Sequence, residues 1–180
     1  SGKTTLVDII LGLLYPNRGN VKNFGIDIKE FLKSWRKKIG YVPQNLSLID
    51  GTVKDNICLG YLEDEIDHEL LQKCINFSEL NAFINTLPDR IETDVGHLGK
   101  KISGGQLQRI GIARALYQNP DILIFDEATN ALDINIEDKL IKNLKKFNED
   151  LTIILISHRL SVLKNCDKIF IIEKGQIKFE

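Results

Sequence analysis

An α/β fold built on a mainly parallel sheet, with helices inserted in its middle, is what this sequence predicts, and three observations lead there. The apolar runs 122–125 and 152–156 are continuous rather than alternating, as in strands covered on both faces. A helical stretch at 136–147 separates them, and parallel neighbours need such a crossover. From 50 to 101 the chain changes to short helix-like segments joined by loops, which reads as a helical insertion.

The elements follow in order. Leu6, Val7, Ile9, Ile10, Leu13 and Leu14 make one apolar face of a helix predicted over 3–15, ended by Pro16 and the turn Asn17-Arg18-Gly19. Residues 21–28 read as a short strand with a turn, and 30–37 as a brief helical piece. A strand at 39–42 is stopped by Pro43, leaving Gln44 where strand becomes loop. Within the insertion, 53–59, 65–77 and 79–86 are helix-like. Ser103 opens a further helix, with Leu107, Ile110, Ile112, Ala113 and Leu116 at helical spacing until Asn119-Pro120 closes it. After 160–165, strands at 169–173 and 176–179 around Lys174-Gly175 form a final hairpin. The expected organisation is one domain, with a core of about 1–48 and 108–180 and a helical subdomain of about 49–107.

Composition narrows the function. A chain of 180 residues with 43% hydrophobic content supports one domain with a real core. The 24 basic and 25 acidic residues nearly balance, so no broad surface for nucleic acid is expected. Cys58, Cys74 and Cys166 are scattered, without metal-ligand spacing, and suit a reducing compartment. The apolar stretch 6–14 is broken by Asp8 and Gly12 and falls short of the ~20 residues of a membrane-spanning helix. No targeting signal is visible. With no Met and a start inside a motif, the chain is expected to be a fragment of a longer protein.

Three stretches carry chemistry. Ser1-Gly2-Lys3-Thr4-Thr5 matches the end of a phosphate-binding loop, Ser1 filling its last free position. A loop entering a helix N-terminus aims backbone N–H groups and a partial positive charge at one point, which suits phosphate. Lys3 would reach the β and γ phosphates of a nucleotide, Thr4 would ligate Mg²⁺, and Thr5 would lie near the α phosphate. A capped helix with an ordinary lysine would look the same in isolation. The acidic pair Asp126-Glu127 ends a predicted parallel strand, at the edge where ligands of open α/β sheets gather. Adjacent carboxylates repel, so Asp126 is assigned to magnesium and Glu127 to polarising water, against the plainer reading of two solvated acids opening a turn. His158 ends the next strand equivalently and becomes a candidate γ-phosphate contact. Ser103-Gly104-Gly105-Gln106 is a second glycine-rich helix start, where a plain cap would rarely need two glycines. The economical explanation is a site completed by a second copy of the domain.

These residues resemble the nucleotide-binding domain of ATP-binding cassette (ABC) transporters over essentially the whole chain, which implies a P-loop NTPase fold. Gly2-Lys3-Thr4-Thr5 is similar to the end of Walker A, Gln44 in Tyr41-Val42-Pro43-Gln44 to the Q-loop glutamine, and Ile102-Ser103-Gly104-Gly105-Gln106 to the family signature. Leu123-Ile124-Phe125-Asp126 resembles Walker B, with Glu127 in the place of the catalytic glutamate. Asn130-Ala131-Leu132-Asp133 resembles the D-loop and Ser157-His158-Arg159 the switch-histidine segment. Residues 50–57 and Thr93-Asp94-Val95-Gly96, the latter similar to the X-loop, resemble the exporter branch. Ile102, Asn130 and His97 depart from the usual Leu, Ser and Glu.

The resemblance implies ATP and Mg²⁺ as ligands, with Thr4, Gln44 and Asp126 toward the metal, and a dimer of nucleotide-binding domains with Asp133 lining the seam. Lys3, Thr4 and Asp126 of one domain would face Ser103 and Gly105 of the other. It further implies a transmembrane domain before Ser1, a place on the cytoplasmic face of the cell membrane, and movement of a lipid, lipid-linked oligosaccharide, peptide or drug. The adenine-stacking aromatic residue and the first half of Walker A would also precede Ser1, so the chain alone is expected to bind ATP poorly. The alternative is a soluble nucleotide-gated clamp on DNA or ribosomes, though the coiled-coil insertions or tandem domains that would mark one are missing from this sequence.

Overall fold

A computed structural model describes residues 2–99, 102–159, 163–164 and 166–179. Helix α1 (Lys3–Ile10) leads to a small hairpin of β1 (Lys22–Asn23) and β2 (Ile26–Asp27), then through a 3-10 turn to α2 (Leu32–Lys37) and β3 (Ile39–Val42). The insertion carries α3 (Val53–Ile57), α4 (His68–Phe77) and α5 (Asn81–Ile84), with 3-10 turns between. Helix α6 (Gly104–Tyr117), β4 (Ile122–Asp126), α7 (Ile134–Phe147), β5 (Thr152–Ile156) and the hairpin β6 (Ile171–Glu173) and β7 (Gln176–Phe179) complete the order.

The central sheet is parallel, in the order β3-β4-β5, with Val42 opposite Phe125 and Asp126 opposite Ile156. Its continuous apolar runs serve two cores. Leu123 and Phe125 face a cluster with Ile110, Ile112 and Leu116 of α6, joined by the insertion's Val53, Ile57, Leu71 and Ile75. Ile124 faces the other way, onto Val7, Leu11, Ile28 and Trp35. Each such buried side chain contributes on the order of 1.5–3 kcal/mol, so both faces demand apolar residues and the alternation disappears. Helix α6 comes so close to β3 that a Cβ on Gly40 would sit 2.7 Å from the Ala115 carbonyl oxygen. The subdomain boundary expected near 107 falls inside α6, which packs on α3, α4 and β3 alike.

The first helix is shorter than its apolar pattern predicts. It stops at Ile10, and Gly12 turns left-handed at φ +68°. The carbonyls released there are met from α2: the Trp35 indole donates to Ile10 O at 2.7 Å, and Arg36 donates to Leu11 O at 3.4 Å and to Gly12 O at 2.6 Å. These partners, 24 or 25 residues away, are invisible to a local pattern. The predicted strand at 169–173 also begins late, at Ile171. Of the segment 160–165, only residues 163 and 164 are described, and Ser1 lies outside the described residues.

The insertion is pinned at both ends. Thr52 bridges to Asp94, Val53 N donates to Thr93 O at 3.1 Å, and Val95 N donates to Gly51 O at 3.0 Å. Thr52 and Asp55 form a reciprocal capping box at the start of α3. Arg114 of α6 donates to Asn56 O at 2.7 Å and Ser47 O at 3.2 Å, which fastens the chain after Gln44 to the insertion. Cys58 and Cys74 are buried, and burial raises their thiols to about 11 and about 12, so both stay protonated and inert at neutral pH.

Candidate functional site

Parallel strands in register deliver their carboxyl ends to one edge. There β3 leads on to Gln44, β4 ends in Asp126 with Glu127 directly after it, β5 leads to His158, and α1 begins with Lys3. Glu127 N donates to Ile156 O at 3.0 Å, prolonging the pairing by one residue, and Glu127 then adopts φ +53°. A left-handed backbone costs a non-glycine residue about 1–2 kcal/mol. Strain of this kind persists where the surroundings over-determine it, commonly at functional positions.

Three side chains converge on Glu127. Lys3 Nζ lies 3.3 Å from Oε1, His158 Nε2 lies 3.0 Å from the same oxygen, and the Gln44 amide donates to Oε2 at 3.2 Å. Lys3 Nζ also contacts His158 Nε2 at 2.5 Å. The Lys3 ammonium donates to Oε1 and stands within hydrogen-bonding reach of Nε2. Glu127 and Lys3 are partly sheltered, whereas His158 is exposed. A cation and two polar groups thus hold one carboxylate at the mouth of a sheet.

Asp126 sits beside them, buried, and accepts a hydrogen bond from the Tyr41 hydroxyl at 3.3 Å. Burial, with the nearby Asp126 charge second, holds the Tyr41 hydroxyl protonated above its usual range. Gly2 turns left-handed at φ +92° where it opens α1, and Thr4 and Thr5 are exposed in the first turn.

The second glycine-rich start is closed by its own cap. Ser103 and Gln106 form a reciprocal capping box, Ser103 N donating to Gln106 Oε1 at 2.9 Å and Gln106 N to Ser103 Oγ at 3.4 Å. Among the described residues, no hydrogen bond or ion pair joins Ser103, Gly104, Gly105 or Gln106 to Lys3, Gln44, Glu127 or His158. Instead, a Cβ on Gly105 would lie 3.2 Å from Ala131 O, so the loop between β4 and α7 passes close to the start of α6. Asp133, at the N-cap of α7, is exposed. His97 pairs with Asp50 at 3.0 Å, linking the loop before α3 to the segment after Val95.

Sequence reasoning gave no role to Tyr41, Gln108, Glu137 or Arg159. Gln108 accepts from Ala131 N at 3.1 Å. Glu137 is 1% exposed and faces Arg159, whose guanidinium also reaches the carbonyls of Thr129 and Leu132. Tyr41 and Arg159 stand inside the motifs that drew attention to Gln44 and His158, but their partners are set by the pairing of distant strands. Among the described residues, no helix is long and apolar enough to cross a membrane, and no group of three or more His, Cys, Asp or Glu is placed to hold a metal ion.

Comparisons with known proteins agree with one another. A family model described as ABC transporter matches residues 1–130. The chain is 41% identical over 178 residues to "ABC transporter B family member 29, chloroplastic" of Arabidopsis thaliana, covering 98% of this chain and 28% of that protein. It is 39% identical over 177 residues to a "Multidrug resistance ABC transporter ATP-binding and permease protein" of Lactococcus lactis, covering 98% and 30%. It is 40% identical over 178 residues to an "ATP-dependent lipid A-core flippase" of Francisella novicida, again covering 98% and 30%. The solved structure of a bacterial Atm1-family ABC exporter with ATP bound superposes with a TM-score of 0.91 at 34% identity, over 98% of this chain and 31% of that one. The chain therefore spans under a third of the length of these relatives.

Proposed function

The chain belongs to the ABC transporter family, and from that premise we propose that it is the ATP-hydrolysing motor domain of an exporter, driving transport of a lipid, lipid-linked oligosaccharide, peptide or drug. Family membership implies ATP binding and hydrolysis. The observation that carries the finer reading is the convergence of Lys3, Gln44 and His158 on the Glu127 carboxylate.

Lys3 and the N–H groups from Gly2 to Thr5 receive the β and γ phosphates, with Thr5 toward the α phosphate. The triphosphate then replaces Glu127 as the partner of Lys3 and His158, which frees the carboxylate to take a water proton. Glu127 orients that water in line with the γ phosphorus; the bond to the bridging oxygen breaks, and ADP and phosphate result. Lys3 and His158 stabilise charge on the transferring group. Thr4, Gln44 and Asp126 offer hydroxyl, amide and carboxylate oxygens, the donor chemistry that Mg²⁺ takes alongside substrate phosphates. Bound there, magnesium would neutralise phosphate charge. Gln44, tied through the following loop to Arg114 and the insertion, transmits the state of the site.

That Ser103, Gly104, Gly105 and Gln106 share no hydrogen bond or ion pair with the Glu127 cluster among the described residues supports a dimer in which this helix start closes on the partner's nucleotide, with Asp133 along the seam. The printed names of the relatives, ATP-binding and permease protein among them, support a transmembrane domain in the same polypeptide before Ser1 and a place at the cytoplasmic face of the membrane. The test is Glu127→Gln in the full-length protein. ATP binding is expected to survive while turnover falls by two or more orders of magnitude, on the order of 3 kcal/mol of transition-state stabilisation. Undiminished hydrolysis would overturn the assignment.

A further inference from the structure

The carboxylate of Glu137 takes no part in the chemistry above, yet it is 1% exposed, and neither of its oxygens has a hydrogen-bond partner among the described residues. Among the described residues, the charge paired with it is Arg159, with Nη1 3.3 Å from Oε2. A buried carboxylate is costly unless a partner charge compensates it, and that pairing fixes where the partner sits. What it positions is the guanidinium, whose Nη1 also donates to Thr129 O at 3.3 Å and Leu132 O at 3.2 Å. Arg159 directly follows His158, and its own N–H is fixed by Ser157 Oγ at 2.9 Å. The chain segment Arg159 grips begins at Glu127 and ends at Asp133. On its other side, that segment is held at Ala131 by Gln108 and lies against Gly105.

Resting on the reading of Glu127 and His158 as the hydrolytic pair, we propose that Arg159 is a positioning residue: held by Glu137, it locks the loop 128–133 to the segment carrying His158. Movement of that loop at a partner surface is thereby passed to the catalytic edge. A single short bracket does this because one guanidinium nitrogen, Nη1, meets two carbonyls and a carboxylate at once.

The experiment compares Arg159→Met, Arg159→Lys, Arg159→Met/Glu137→Met and Glu127→Gln in the full-length protein, reading kcat, KM for ATP and the melting midpoint. Arg159→Met is expected to lower kcat at least about tenfold, with KM within about twofold, because misplacement costs chemistry more than binding. It is also expected to lower the midpoint by stranding the Glu137 charge. The double variant removes that charge and is expected to regain the midpoint while kcat stays low; Arg159→Lys should recover kcat only in part. Recovery of kcat together with the midpoint in the double variant would overturn the proposal and leave Arg159 a purely structural partner of Glu137. Hydrolysis that survives Glu127→Gln would instead refute the underlying reading of the site, a separate outcome.

Discussion

Alanine at Gly40 is expected to destabilise the domain by about 2 kcal/mol. The added Cβ would lie 2.7 Å from Ala115 O, 2.9 Å from Leu123 Cδ1 and 3.1 Å from Pro120 Cγ, where ordinary contact begins at 3.4 Å. The nearest obstacle is a backbone carbonyl of α6, and β3 is itself bonded to β4. Neither side can yield without moving a whole element by roughly half an ångström or more, which is overpacking. Gly111→Ala provides the control. Its Cβ would come closer still, but to the tip of the half-buried Leu46 side chain, which can rotate, and alanine in a helix gains about 1 kcal/mol over glycine. That variant should remain within about 1 kcal/mol of the parent. In thermal melts followed by circular dichroism, Gly40→Ala should lose about 4–8 °C and Gly111→Ala no more than about 4 °C. Equal losses would refute the argument that the rigidity of the obstructing atom, rather than its distance, sets the cost.

Two further outcomes are expected. Tyr41→Phe removes the hydroxyl that donates to Asp126; worth about 1 kcal/mol, its loss should raise the Mg²⁺ concentration for half-maximal ATPase activity about fivefold, and a magnesium titration that superposes on the parent would refute this role. Asp55 is held below its usual 3.8, chiefly by the Thr52 N–H; a depressed folded value adds stability above pH 3.8 that is lost as pH falls through the folded pKa. The stability difference between the parent and Asp55→Asn, read by urea melts from pH 7 to pH 2, should therefore shrink on the acid side, and a gap that widens below pH 4 would contradict the capping geometry.

Legibility in the sequence followed the range of the forces involved. The strand 39–42 and the helix after Ser103 were readable because apolar spacing, a capping serine and Pro43 act within a few residues. Helix α1 was overextended because its end depends on Trp35 and Arg36, which enter from α2. Helix α7 begins at Ile134, two residues ahead of the expected start, directly after Asp133, whose side chain makes no capping hydrogen bond. Within the site, Lys3, Gln44, Glu127 and His158 stand out as motif residues, while Tyr41 and Arg159 stand inside motifs without a role of their own and Glu137 lies outside them. Their importance comes from partners up to 85 positions away.

By itself, the sequence determined which chemical groups are present and that they fall at strand ends and helix starts. Its unbroken apolar runs also required a sheet covered on both faces, since burial on two sides leaves no room for polar alternation. Only the tertiary structure decided that one carboxylate gathers the lysine, the histidine and the glutamine, while the glycine-rich start of α6, among the described residues, shares no hydrogen bond or ion pair with them. Hydrogen bonds and ion pairs act over about 3–4 Å, whereas these groups lie up to 155 positions apart in the chain. Strand register and helix packing are what bring them within that range.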